Sequence, residues 1–348
     1  MDAPFDLDLT RMQEITLRHE MTEQPALVAY PVLARPAHVN APPHGPEGYP
    51  SAVRSEAAAF LAELGDEQRA AACRPFGDGQ RRWLEYRPRP RPGLPLAGLG
   101  AGARKAAHRL LATALRPPAY AQAMAVMALE EVLDRQEDWR RGRHSEDYRA
   151  VVFGTPGDDR WAWRFEGHHL SVTMTVIDGV VSPAPVFLGA NPARVDLAGR
   201  PVLRPLGVEE DLGRELLLSL PTRLRDRAVV ARDAPDDIRS GARPAAAPIE
   251  PAGVPRADLP ADARSMLDEL VGIYLDRLTH PPRTGDLHFA WEGPPGPGTP
   301  HYYRIQGDDL LIEFDQTTSD GNHAHTVVRR PRGEFGEDIL AEHHARGS

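Results

Sequence analysis

Thiols and lysines are nearly absent from this 348-residue chain, which has one cysteine, Cys73, and one lysine, Lys105. A single cysteine excludes an intramolecular disulfide and every metal site built from several thiolates, so a reducing, cytoplasmic location is expected. With one lysine, a Schiff-base mechanism or a phosphate-binding loop of the form G-x-x-x-x-G-K-[ST] has almost no place in the sequence. These chemistries can be set aside.

Positive net charge and long apolar runs are also missing. The formal charge of -9 and the pI near 5.9 argue against a nucleic-acid binder. No window reaches the roughly 18 consecutive apolar residues of a membrane span, so no membrane partner is expected. A small-molecule substrate is the expected partner, and the sequence predicts no oligomeric state.

Three catalytic signatures are absent as well. The chain has no G-x-S-x-G motif, no G-x-G-x-x-G motif after a predicted strand, and no His-Glu-x-x-His motif. Serine-hydrolase, nicotinamide-dependent and zincin-type chemistries therefore lose support.

Hydrophobic periodicity changes along the chain in blocks. Helical spacing predicts helices over residues 9–21, 52–64, 101–115, 119–136, 209–220 and 260–278. Alternation with a period of two predicts strands over residues 148–153, 161–165, 170–177, 286–292, 301–306, 310–315 and 323–329. Segregated blocks predict an α+β fold, with a largely antiparallel sheet and helices packed in separate groups. Proline-rich residues 1–50 are interpreted as an N-terminal arm, and no internal repeat is recognised.

The strongest chemical pattern is the pair Glu313-x-Asp315 followed, after a run of turn-forming residues, by His323-x-His325. Alternate strand residues share a face, so each pair can present two side chains to one site. If the two strands form a hairpin with Asp315 opposite His323, then Glu313 lies opposite His325. That register predicts a patch of four potential metal ligands, in which the two carboxylates could instead orient the imidazoles. The alternative is a pair of surface or hydrogen-bonded histidines.

A second pattern is His168-His169, directly after Gly167. Adjacent strand residues point to opposite faces, so only one of the two histidines can meet a given site unless Gly167 introduces a bulge. Which one faces the site is left open, and a satisfied core histidine is the alternative. His301 is a further candidate ligand on a late strand.

Several blocks of the sequence resemble the family catalogued as domain of unknown function 3500. They are residues 66–70, 148–156, 163–171, 187–192, 209–213, 302–307, 322–325 and 333–336. Both histidine pairs fall within these blocks. The resemblance implies one continuous α+β domain over residues 51–342, but it carries no established reaction.

These patterns together predict a metal-dependent enzyme. The expected cofactor is a divalent transition metal, with copper or iron favoured and zinc possible, because the candidate ligands are rich in imidazole and lack thiolate. The favoured reaction is oxygen-dependent oxidation of a small molecule, with Glu166, Tyr303 and Arg304 as candidates for positioning or proton transfer. A zinc-type hydrolase and a noncatalytic metal-binding protein are the alternatives.

Overall fold

The computed structural model describes residues 48–279, 281–282 and 284–339. All of these residues lie in one compact unit. The predicted helix over residues 9–21 and the predicted arm up to residue 47 lie outside the described residues. Tyr49 and Pro50, assigned to the arm from sequence, already belong to the first helix.

The described residues form seven α-helices, with bounds close to the predicted ones where a helix was predicted. They are α1 (Tyr49–Ala62), α2 (Asp66–Ala72), α3 (Ala101–Ala114), α4 (Pro117–Gln136), α5 (Gly207–Ser219), α6 (Thr222–Ala228) and α7 (Ala261–Leu275). The two long central helices, α3 and α4, are separated by Leu115 and Arg116, and Pro117 begins α4 because proline suits the first helical turn.

The strands within the described residues are short near the sheet edges and long at its centre. They are β1 (Cys73–Arg74), β2 (Leu94–Pro95), β3 (Arg149–Phe153), β4 (Arg160–Gly167), β5 (Leu170–Ile177), β6 (Val180–Ser182), β7 (Val186–Ala190), β8 (Val195–Leu197), β9 (Arg200–Leu203), β10 (Val229–Ala231), β11 (Val254–Pro255), β12 (His288–Glu292), β13 (His301–Gln306), β14 (Leu311–Thr318) and β15 (His323–Arg329). Strands β8 and β9 form a separate two-stranded ribbon.

The other strands form one sheet with the order β1-β3-β4-β5-β7-β15-β14-β13-β12-β10, to which β2, β6 and β11 add. Neighbouring strands are antiparallel except at the two ends, where β1–β3 and β10–β12 are parallel. The predicted α+β fold with a largely antiparallel sheet is confirmed.

The order of elements occurs twice, a repeat that was not recognised in the sequence. Each half has a long helix, a seven-residue helix, a short parallel edge strand, a two-residue strand, a further helix (α3 or α7, with α4 added in the first half) and a run of antiparallel strands. Gly93 and Gly253, with φ of +91° and +92°, precede the two-residue strands and lie against backbone carbonyls of Ala150 and Phe289. The halves meet where β7 pairs with β15 at the middle of the sheet.

One face of the sheet is apolar and is covered by the helices. Leu170, Val172 and Met174 of β5 alternate onto this face and join the main hydrophobic core, which includes residues of α1, α3, α4, α5 and α7. Period-two alternation thus sends half of each central strand into one core, the main apolar contribution to folding.

The opposite face carries buried charge under two irregular segments, residues 75–91 and 232–251. Arg164 of β4 donates to the carbonyls of Gln80 and Trp83. Arg329 of β15 donates to the carbonyl of Arg243 at 2.6 Å. Because backbone groups outside regular elements need partners, these arginines fix the covering segments on the sheet.

Among the described helices, none combines the length and the apolar character that a membrane-spanning helix requires.

Two helical glycines offer a matched test of packing between α5 and the sheet. A Cβ at Gly213 of α5 would lie 2.5 Å from Tyr303 Cε1, whereas a Cβ at Gly272 of α7 meets nothing within 4 Å. We expect Gly213→Ala to lower the free energy of unfolding by about 1–3 kcal/mol, because overpacking forces the ring or the helix to shift. We expect Gly272→Ala to raise it by roughly 0.5–1 kcal/mol. Urea unfolding measures both, and equal changes in the two variants would contradict this packing.

Candidate metal centre

His168 and His169 are the two turn residues of the β4–β5 hairpin, since Gly167 pairs with Leu170. His169 has a φ of +62°, in the left-handed region that is rare for a residue with a Cβ. Its N–H donates to the carbonyl of Tyr86 at 3.0 Å, and its carbonyl accepts from Gly189 at 2.7 Å. The rings of the two histidines lie side by side, 3.7 Å between centroids. Because the pair lies in a turn, the alternation of adjacent strand residues does not apply to it.

His323 and His325 begin β15, as predicted, but the register with β14 differs from the expected one. Asp315 lies opposite His325, and Thr318 lies opposite His323. The expected pairing of Glu313 with His325 is wrong, because Glu313 lies opposite Val327. The strand β14 runs further than predicted and its pairing shifts between Asp315 and Thr318.

Three imidazoles converge at this end of the sheet. His169, His323 and His325 each offer one nitrogen, and the three nitrogens lie within 4.8 Å of one another. His169 Nε2 and His323 Nε2 are 2.7 Å apart. His325 Nε2 is buried and has no hydrogen-bond partner among the described residues. The cluster therefore joins a turn of the first half of the chain to a strand of the second half.

Gly189 of β7 leaves the space that the cluster occupies. It lies opposite His325 in the sheet. A Cβ there would approach His169 Cδ2 to 2.8 Å and His325 Cδ2 to 3.0 Å. Any side chain at this position would push both rings, so the missing side chain is a geometric requirement of the cluster.

Asp237 fixes His325 from the other side of the ring. His325 Nδ1 lies 2.8 Å from Asp237 Oδ1, and the Tyr86 hydroxyl donates to Asp237 Oδ2 at 2.7 Å. Burial alone would raise the pKa of Asp237, but the hydrogen bonds from His325 and Tyr86 hold that pKa below its ordinary value. An ionised carboxylate only accepts, so Nδ1 carries the hydrogen and Nε2 keeps its lone pair.

Burial holds two of the imidazoles in the neutral form. Burial, followed by the neighbouring imidazoles His325 and His168, lowers the pKa of His323 to about 3. The same causes, burial first, lower the pKa of His169 well below its ordinary value. Neutral imidazole is the form that binds metal ions, so both rings are ready to act as ligands at neutral pH.

His168 lies beside the three imidazoles but has different partners. Its Nδ1 is 2.6 Å from Glu130 Oε1 of α4 and 3.3 Å from an Arg143 nitrogen. Glu130, His168 and His169 form a second group whose candidate ligand atoms lie within 4.8 Å of one another. Sequence reasoning left open which histidine faces the site, and the structure places His169 with His323 and His325.

The two predicted carboxylates differ in position. Asp315 lies beside His325 and Asp237, forming a third group of candidate ligand atoms. Burial, with a lesser effect of the nearby carboxylates Asp237 and Glu313, raises the pKa of Asp315 to about 8, against the hydrogen bond from Thr317. Glu313 joins none of the groups found among the described residues.

Glu313 instead anchors the segment that carries Asp237. Its carboxylate accepts from the backbone N–H groups of Arg239 at 2.6 Å and Ser240 at 3.2 Å, and from the Tyr302 hydroxyl at 2.9 Å. The position of Asp237, two residues before Arg239, therefore depends on Glu313. The sequence suggested that Glu313 could orient an imidazole. In the structure Glu313 instead holds backbone N–H groups, and through them the segment that carries Asp237.

His301 and Tyr303 lie on the apolar face, away from His325. His301 stacks on Trp291 with 4.8 Å between ring centroids, and burial lowers its pKa to about 4. The Tyr303 hydroxyl lies 2.7 Å from the Tyr274 hydroxyl and donates to the carbonyl of Glu209. The structure does not bring either residue to the histidine cluster.

Glu166 and Arg304 lie on the charged face and have structural partners there. Glu166 pairs with Arg164 at 2.9 Å, and burial raises its pKa. Arg304 pairs with Glu292 at 2.7 Å and also donates to the carbonyl of Pro251. Catalytic roles for Glu166, Arg304 and Tyr303 stay predictions.

Sequence reasoning missed Asp237, Glu130, Tyr86 and Gly189. Glu130 had a usable signal, since it occupies a buried position between Val126 and Leu133 on the inner face of α4. A carboxylate at such a position needs a partner. Asp237 had no such signal, because it lies in an irregular segment 88 residues before His325.

Comparison with known proteins identifies a family but no activity. The family model described as "Protein of unknown function (DUF3500)" matches residues 49–337. This match confirms the resemblance drawn from the sequence blocks. Neither the curated proteins nor the solved structures contain a match to the chain.

The raised pKa of Asp315 predicts a pH-dependent loss of stability in the metal-free protein. The pKa rises from 3.8 to about 8 on folding, so between these values the native state keeps a proton that the unfolded chain releases. The stabilisation of the native state by the protonated Asp315 carboxyl is fully present below pH 3.8 and is lost as pH rises through about 8.

The variant Asp315→Asn stays neutral at every pH, so we expect its stability relative to wild type to increase from pH 5 toward roughly pH 8. Urea midpoints measured across this range in the presence of a chelator check the prediction. A constant difference across the range would rule out a buried, protonated Asp315.

Proposed function

Because the chain belongs to the DUF3500 family, whose description assigns no activity, we propose its function from the histidine cluster. His169, His323 and His325 bind a divalent transition-metal ion, and the protein is a metal-dependent enzyme that acts on a small molecule. Positions on the ion that the three imidazoles leave open would take the substrate or a second reactant.

The observation that carries this proposal is how the two ring nitrogens of His325 are partnered. Its Nδ1 is held by Asp237, while its Nε2 is buried without a hydrogen-bond partner among the described residues and belongs to the three-nitrogen group. A buried polar atom without a partner is costly, and a missing ion is one of the few explanations for it. A carboxylate that orients a histidine through Nδ1 is also the usual support of a metal-bound imidazole.

The ligand set favours copper or iron and oxidation with dioxygen. All three ligands are imidazoles, and the carboxylates Asp237 and Asp315 group with His325 alone rather than completing a two-histidine, one-carboxylate set. Copper binds nitrogen ligands most tightly among the divalent metals of the first transition row, and open positions would admit dioxygen and a substrate. Here the ion supplies the redox chemistry, and the protein orients the imidazoles and excludes other ligands.

A zinc-type hydrolase is the second candidate, because three histidines with an open position are also a ligand set of catalytic zinc. In that reaction a bound water would be the nucleophile.

For either reaction we propose a cytoplasmic location, since the single cysteine, Cys73, excludes an intramolecular disulfide.

Metal analysis tests the ligand set directly. We expect wild-type protein to carry about one transition-metal ion per chain, and His169→Ala, His323→Ala and His325→Ala each to lose most of it, since two imidazoles hold such an ion far more weakly. His288→Ala is the matched control, because His288 is a strand histidine outside the three groups. Elemental analysis by mass spectrometry measures the content. If all three cluster variants retained the metal, the proposed ligand set would be wrong.

The reaction class is tested by oxygen consumption. Copper- or iron-loaded protein is expected to consume dioxygen when it is screened with small reducing molecules, and His323→Ala is expected to abolish that uptake. Ester or amide hydrolysis by zinc-loaded protein without oxygen uptake would favour the hydrolase. Chelation that lowers the melting temperature, with no turnover of either kind, would indicate a noncatalytic metal-binding protein.

A further inference from the structure

His168, which lies beside the histidine cluster, is held in a way that separates it from the three proposed ligands. Its Nδ1 lies 2.6 Å from Glu130 Oε1, and its carbonyl accepts from the Tyr148 hydroxyl at 2.8 Å. Ring and backbone are thus both fixed. Since a carboxylate only accepts, the short contact to Glu130 places the hydrogen of the ring on Nδ1. In this tautomer Nε2 is the lone-pair acceptor of the ring.

The group of Glu130, His168 and His169 could also be considered as a second metal site, but Arg143 argues against that. Its guanidinium lies 3.6 Å from Glu130 Oε2 and 3.3 Å from His168 Nδ1. A side chain that is already cationic thus occupies the position beside both candidate ligands. A second cation would be repelled there, so Glu130 and His168 form a hydrogen-bonded pair and not a metal site.

The free nitrogen of His168 is available to a bound molecule. His168 Nε2 makes no hydrogen bond to the described part of the chain, and 12% of the side chain is exposed. His169 and His325 are buried, whereas His168 and His323 are partly exposed. A molecule that reaches the proposed metal from solvent therefore approaches along His168 and His323.

We propose that His168 is the hydrogen-bond acceptor for a protic molecule bound on the metal, and that Glu130 is the positioning residue that holds Nε2 toward it. This inference rests on the proposed metal site. The ligand class is a molecule that carries an O–H or N–H next to its metal-binding atom, such as an alcohol, a hydroxy acid or a hydroxamate. A ligand without that hydrogen cannot donate to His168, so His168 does not increase its affinity.

Two hydroxamates that differ only in the substituent on nitrogen provide the probes. Acetohydroxamate carries an N–H beside its metal-binding oxygens, and N-methylacetohydroxamate has a methyl group there. Both are titrated calorimetrically into zinc-loaded full-length protein, because zinc is redox-inert. In His168→Phe, which keeps a ring against His169 but removes the acceptor, we expect acetohydroxamate to bind about five- to tenfold more weakly. The affinity for N-methylacetohydroxamate and for zinc itself is expected to stay unchanged.

Glu130 is tested by rescue. Glu130→Gln keeps an oxygen that can accept from His168 Nδ1, so its acetohydroxamate affinity is expected to stay close to wild type. Glu130→Ala removes the acceptor and is expected to show the same selective loss as His168→Phe. A merely structural role would weaken both hydroxamates alike.

The outcomes separate the two proposals. Loss of zinc from His168→Phe would make His168 a ligand and overturn this inference while keeping the metal site. Unchanged acetohydroxamate affinity in that variant, or equal weakening of both probes, would also overturn it. If wild-type protein binds no zinc, copper or iron, the metal site fails and this inference fails with it.

Discussion

The pairing of β7 with β15 at the middle of the sheet is the constraint on which the rest of the site depends. It joins the two halves of the chain, and it places Gly189 opposite His325. Because glycine has no side chain, the turn residue His169 can pack beside His325 across β7. A hydrogen bond from Gly189 N–H to the carbonyl of His169 ties the same turn to the same strand. Backbone pairing therefore determines which imidazoles meet, and side-chain packing follows from it.

Buried charge on the same face of the sheet as His325 supports this arrangement. Arg164, Arg304 and Arg329 hold the irregular covering segments through backbone carbonyls, and Glu313 holds residues 239 and 240 through their N–H groups. A segment without helix or strand would otherwise be free to shift, and with it Asp237. Buried ion pairs are weak sources of stability because desolvation offsets their attraction. Their contribution here is to fix one conformation of the segment that orients His325.

Periodicity in the sequence was sufficient for the long elements and for β15. The strands β5, β13 and β15 have their predicted bounds because alternating residues of each strand join the apolar core. The strand β7 was not predicted, since Gly189 and the flanking prolines Pro185 and Pro192 weaken a strand pattern. The register of β14 with β15 could not be predicted because it depends on an irregularity next to the turn. Asp237 could not be predicted either, because its contact with His325 is a product of tertiary packing alone.

The repeated topology explains why the site occurs at one end of the sheet only. The turn between β4 and β5, with His168 and His169, corresponds to the turn between β13 and β14, with Asp308 and Asp309. At the second turn Asp309 accepts from Arg330 at 2.9 Å and from the backbone of Arg332, so opposite charges satisfy one another. At the first turn imidazoles face one another: His169 and His323 are in contact, and the buried Nε2 of His325 has no hydrogen-bond partner among the described residues. The second turn is thus satisfied by the protein's own charges, whereas the first is not. This difference between two related turns is the physical basis for proposing the metal at the histidine end.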